Sequence, residues 1–150
     1  MIHLTSGNLL HADVDALVNA VNTVGVAGKG IALQFRLAFP ESHKAYVAAA
    51  KARTVTPGQM LVVQTGAVPK YIIHFPTKRH WKDLSRIGDI ELGLQDLAQV
   101  IAQYAIRSIA VPALGCGNGG LEWSQVRPLV ESALGSVDAK VLLFQPTDLA

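Results

Sequence analysis

Residues 15–35 read DALVNAVNTVGVAGKGIALQF, and the order of chemistry along them decides the fold. DALVNAVN is apolar on both faces, as a strand inside a sheet must be. The part beyond the glycines is helical: Ile31, Phe35 and Phe39 stand four apart on one stripe, and Pro40 then interrupts it. Between strand and helix lies a Gly-rich turn. It is not a P-loop, because counting back from Gly28-Lys29 puts Thr23 where the first glycine belongs. Gly30 also stands where a hydroxyl must reach Mg²⁺. The GxGxxG pattern fails as well, since glycines 25, 28 and 30 come in the wrong order. The unit is strand, turn and helix, and its ligand has to be argued from elsewhere.

The same alternation runs outward in both directions. IHLTS, MLVVQT, KYIIHFP, SIAVPAL and KVLLFQP read as further strands. HKAYVAAAKA and WSQVRPLVESAL read as helices, with Pro128 near the first turns of the second. Ile87, Ile90, Leu94, Leu97 and Ile101 make one apolar stripe, with Asp83 or Ser85 expected as its cap. The order β-β-α-α-β-β-α-β-α-β, without repeat or linker, predicts an α/β fold. It is a single three-layer α/β/α domain over residues 1–150, around a mixed, mostly parallel sheet.

Composition agrees with a compact domain. Of 150 residues, 50% are hydrophobic and 16% charged, which excludes a disordered chain. No apolar run reaches the roughly 18 residues of a membrane span, so no membrane partner is expected. MIHLTSG enters a strand at once, and Cys116 is the single cysteine, so a reducing cytoplasmic setting is expected. The net charge of +2 permits an anionic ligand without predicting one. His3, His11, His43 and His74 lack ligand spacing, and with Cys116 they form no metal pattern.

Ligands of such sheets bind beyond the carboxyl ends of the strands. Four stretches fall there: SGNLL, NTVGVAGKG, FPTKRHW and PALGCGNGGLEW. Glycines 115, 117, 119 and 120 allow a backbone nest for an anion, and the turn at 25–30 supplies a second. Such a pair suits a diphosphate held from both sides. A carboxamide either bonds ribose hydroxyls or caps a turn; Asn19, inside a strand, reads as the cap, and Asn22 at the strand's end as a ligand contact. His74 reads as a strand histidine. TKRHWK, from Thr77 to Lys82, is either a solvated basic loop or a rim for nucleic acid, with Trp81 or His80 stacking on a base. Lys78 has a further option, to point into the cleft as a charge or a nucleophile.

SGNLL (6–10), NxxNxVGVxGKGIAxQF (19–35), FPTKRHW (75–81) and VPALGCGNGGLEW (111–123) together resemble the macrodomain. More narrowly they resemble macrodomains of the DarG antitoxin family, which opposes DarT-type DNA ADP-ribosyltransferases. The resemblance spans nearly the whole chain. It implies a glycohydrolase that removes ADP-ribose from thymidine in single-stranded DNA without a cofactor or metal. It also implies a DarT-type toxin as partner, contacted through a region absent from this chain.

Carried over by residue, Asn8 and Leu9 would lie at the adenine, where many macrodomains have Asp in place of Asn8, and Phe144 or Gln145 near its face. Asn22, Gly28, Lys29, Gly30 and Ile31 would line the distal ribose and phosphates. Leu114, Gly115, Cys116, Gly117, Asn118 and Gly119 would offer N–H groups to the diphosphate. Lys78 would be catalytic, with Thr77, Arg79, His80, Trp81 and Lys82 at the thymine and DNA. In the related protein-directed glycohydrolase a catalytic aspartate follows the GCG loop, and Gly119 takes that place here. Two other readings of the same pocket are a reader that binds ADP-ribose without cleaving it, and a hydrolase of protein-linked esters or O-acetyl-ADP-ribose.

Overall fold

The computed structural model describes residues 1–146. In order they form β1 (Ile2–Thr5), a 3-10 turn (Leu9–His11), β2 (Ala16–Asn22), α1 (Gly30–Ala38) and α2 (Pro40–Lys51). Then come β3 (Leu61–Gln64), β4 (Tyr71–Lys78), α3 (Ile87–Gln103), β5 (Ser108–Val111), α4 (Trp123–Leu134) and β6 (Lys140–Phe144). The sheet order is β1-β6-β5-β2-β4-β3, and only β3 runs antiparallel to its neighbour. The expected mixed, mostly parallel sheet is what forms.

The pleat of β2 distributes its side chains between the two outer layers. Ala16 and Val18 join a core with Ile90, Leu94 and Leu97 of α3 and with Val126 and Val130 of α4. Leu17 packs with Phe35 of α1, and Val21 with Tyr46 and Ala50 of α2. Both faces are therefore covered, which is why β2 lacks the alternation of a half-exposed strand. Pro40 ends one helix and opens the next, standing at the first turn of α2, where a missing N–H costs nothing.

Several boundaries differ from the sequence reading, and two of them bear on the site. β4 continues to Lys78, so Thr77 and Lys78 are strand residues rather than loop. The cap of α3 is Arg86, with no side-chain cap hydrogen bond, instead of Asp83 or Ser85. Ser85 is drawn away, its N–H donating to the Gly119 carbonyl at 2.9 Å.

The parallel strands all end at one edge of the sheet, at Thr5, Phe144, Val111, Asn22 and Lys78. A register shift after Val21 sets Asn22 opposite Lys78.

Candidate active site

The first wall of the site is built by Asn22. Its Oδ1 accepts the N–H groups of Val24, Gly25 and Val26 at 3.1, 3.0 and 3.2 Å, and its Nδ2 donates to the Val26 carbonyl at 2.8 Å. The carboxamide expected to meet the ligand is thus mainly a pin for residues 23–26; Asn22 lines the cleft with its acceptor already committed. Gly25 has φ +90°, and a Cβ there would lie 3.0 Å from Ala50 Cβ, so only glycine lets the turn rest on α2. Beyond it α1 opens with Lys29 at the N-cap and no side-chain cap hydrogen bond. Its first-turn amides are left for a ligand, at the positive end of the helix dipole.

The second wall is the turn after β5. Cys116, Gly120 and Leu121 donate their amides to Ala113, Gly117 and Gly115. The amides of Gly115, Gly117, Asn118 and Gly119 have no acceptor among the described residues. A Cβ on Gly119 would collide with Ser85 Oγ and the Gly115 carbonyl, so this turn admits no side chain there. The two walls nearly meet: Asn118 Nδ2 lies 3.4 Å from where a Cβ on Gly30 would stand. Two expected contacts do not line the cleft. Leu114 is fully buried in the core, and the Cys116 thiol lies against that core and donates to the Leu114 carbonyl at 3.7 Å. Burial, with Glu122 nearby, pushes the Cys116 pKa up to about 11, which disfavours the reactive thiolate.

The third side is the end of β4. Lys78 Nζ donates to the Trp81 carbonyl at 3.3 Å. Its pKa is held below the ordinary lysine value of 10.5, by partial burial and then by the Lys29 ammonium, against the opposing pull of Asp83. Thr77 is buried and donates to the Val21 carbonyl at 3.4 Å. Trp81 lines the cleft and remains 43% exposed. His80 and Lys82 do not line it. Instead the His80 ring stacks 5.4 Å from Trp81, and Lys82 Nζ stands 5.0 Å from the indole centroid.

Arg79 departs furthest from expectation. Its Nε and Nη2 both reach the buried Asp89 carboxylate at 3.2 Å, a bidentate pair that occupies the fork intended for DNA phosphate.

Between these walls lies a cleft of about 860 Å³. Its far end is apolar, with Leu9 and Phe144 in one cluster, beside Asn8, whose Oδ1 caps the 3-10 turn through Leu10 N–H at 3.0 Å. Lys29 and Lys78 are the charged residues lining it, and no described lining residue is a carboxylate. No group of three His, Cys, Asp or Glu among the described residues could hold a metal. Chemically the cleft offers free amides for an anion, an apolar seat for a flat ring and one amine of depressed basicity.

Sequence reasoning missed Tyr46, Ser85 and Asp89. Each acts on a loop distant in sequence, and no local spacing signals such a contact.

Comparisons with known proteins agree with this geometry. A curated relative from Thermus aquaticus named DNA ADP-ribosyl glycohydrolase is 47% identical, over 99% of this chain and 42% of its own length. The chain thus spans less than half the length of the curated DNA ADP-ribosyl glycohydrolases of Thermus and Mycobacterium. The solved macrodomain of Mycobacterium tuberculosis DarG is 50% identical with TM-score 0.96, over 98% of this chain and 99% of that one. Thermosipho africanus DarTG, solved in complex with ADP-ribose, is 34% identical with TM-score 0.93, over 99% of this chain and 42% of that one. The Macro domain family matches residues 18–130, and with the cleft and sheet order already described, this chain belongs to that family.

Proposed function

We propose that this chain is an ADP-ribosyl glycohydrolase that frees thymidine in single-stranded DNA from ADP-ribose, opposing a DarT-type transferase. The observation that carries the reading is Lys78, an amine of lowered basicity on the cleft edge, across from two sets of unpaired amides. The names of the relatives support DNA-linked ADP-ribose as the substrate, while thymidine and the single strand follow from the resemblance to the DarG family. The diphosphate would sit between Gly28–Ile31 and Gly115–Gly119, with adenine against Leu9 and Phe144 and the distal ribose toward Lys78.

The C–N bond from the anomeric carbon to thymine breaks with its electron pair passing to the thymine nitrogen. The ribose gains oxocarbenium character while thymine leaves as an imide anion. Water then supplies hydroxide to the anomeric carbon and a proton to thymine. Most glycosidases use paired carboxylates for this, and no described residue lining the cleft is one. Lys78 takes that part, either as an ammonium beside the departing imide or as an amine that captures the anomeric carbon before water releases it. Trapping with borohydride separates the two routes, since only the second leaves ribose on the protein.

The blocked position at Gly119 disfavours the ester-cleaving mechanism that uses an aspartate there. The test is incubation with thymine-ADP-ribosylated oligonucleotide. Wild-type protein restores the unmodified strand, and Lys78→Ala retains ADP-ribose binding while losing about 10²–10³ in rate. An intact linkage after prolonged incubation with wild type would make the chain a reader instead.

A further inference from the structure

Beneath the first wall lies a buried polar network that reaches the cleft lining only through Asn22. Tyr46 of α2 is 1% exposed. Its hydroxyl reaches the Asn22 main-chain carbonyl at 2.8 Å and Asn22 Oδ1 at 2.9 Å. Asn22 Oδ1 is the same atom that gathers the amides of Val24, Gly25 and Val26. The Tyr46 ring stacks on His74, 5.4 Å away and 20° from parallel. His74 continues the network, with Nε2 at 2.8 Å from Ser42 Oγ and Nδ1 at 3.2 Å from Asn19 Nδ2. The network therefore has two ends. One end, Tyr46 to Asn22, fixes a cleft wall; the other, Ser42 to Asn19, ties α2 to β2 and β4.

We propose that Tyr46 is a positioning residue for ligand binding: its hydroxyl orients Asn22, and Asn22 sets the turn that presents Val26 and the start of α1 to ADP-ribose. The inference rests on the proposed function only for the identity of that ligand. The three amides and the Val26 carbonyl that Asn22 holds all belong to the turn itself, so the side chain's seat still needs a constraint from outside the turn. Tyr46 supplies that constraint from a side the ligand never reaches. Removing the hydroxyl leaves the Asn22 main-chain carbonyl without this buried donor, and the turn no longer has one preferred seat.

The test compares Tyr46→Phe with Ser42→Ala, using calorimetric ADP-ribose binding and thermal unfolding. Tyr46→Phe keeps the ring and its stack on His74. It is expected to weaken binding about tenfold, the cost of one buried hydrogen bond. Ser42→Ala lowers the melting temperature with affinity unchanged, because its end of the network does not touch the turn. Equal affinity in Tyr46→Phe and wild type, or parallel losses in both variants, would overturn the proposal. Failure of the wild type to bind ADP-ribose would instead overturn the proposed function. Hydrogen exchange on the wild-type chain gives a check that needs no variant. The amides of Val24, Gly25 and Val26 must exchange far more slowly than those of Gly28 and Gly30, and equal rates would sink the role given to Tyr46.

Discussion

Lys78 shows how little has to be done to a common residue to make it useful. Partial burial and the Lys29 ammonium both penalise its charged form, and Asp83 only partly compensates. Replacing Lys29 by Gln removes the second of these effects, so the Lys78 pKa in the pH–rate profile is expected to rise toward that of an ordinary lysine, seen in the falling limb if the ammonium acts and in the rising limb if the amine does. A pH–rate profile of the two proteins on modified oligonucleotide checks this, and an unmoved limb would mean that Lys29 acts only on the ligand. At this scale the sequence was half legible. The glycines and Lys78 announce themselves because they break the pattern of strands and helices. That Asn22 also pins the turn is not legible in the sequence, because the four donors converging on its oxygen lie in a folded turn and on a helix 24 residues away. The pairing of Arg79 is hidden for the same reason, since charge alone does not reveal that Asp89 waits in the first turn of α3.

The elements themselves were easier to read. Buried parallel strands are apolar runs and amphipathic helices keep a stripe, so each strand and helix was foreseen, while boundaries shifted wherever a distant partner intervened. α3 illustrates what propensity cannot say. Gly93 in its middle looks like a weakness, since alanine is favoured there by about 1 kcal/mol. Yet α3 lies so close on β4 that a Cβ at Gly93 would run into the Phe75 ring, and Phe75 is fully buried. Overpacking of this kind costs about 1–3 kcal/mol, enough to reverse the sign. Gly93→Ala is therefore expected to lower the midpoint of chemical denaturation, and a rise would show that the ring moves aside freely.

For the molecule as a whole, the same buried network makes stability depend on acidity. Burial, with His43 nearby, holds His74 near a pKa of about 4 against an ordinary 6.5. A histidine lowered in this way favours the folded state fully above 6.5. Below that, the unfolded chain takes up the proton first and stability drains away until pH approaches 4. The full effect is on the order of 3 kcal/mol. His74→Gln should flatten this part of the stability curve, as read from denaturation midpoints between pH 7 and 4.5; an unchanged slope would place the loss among the carboxylates. The crowded turn at Gly119 carries a consequence of another kind, for descent. An aspartate cannot arrive there alone, because Ser85 Oγ and the Gly115 carbonyl already fill its place. Trimming the serine alone does not clear it, since the Gly115 carbonyl belongs to the backbone. A lineage moving toward carboxylate chemistry has to re-form the turn as well, and the shortest mutational road between two kinds of enzyme is closed.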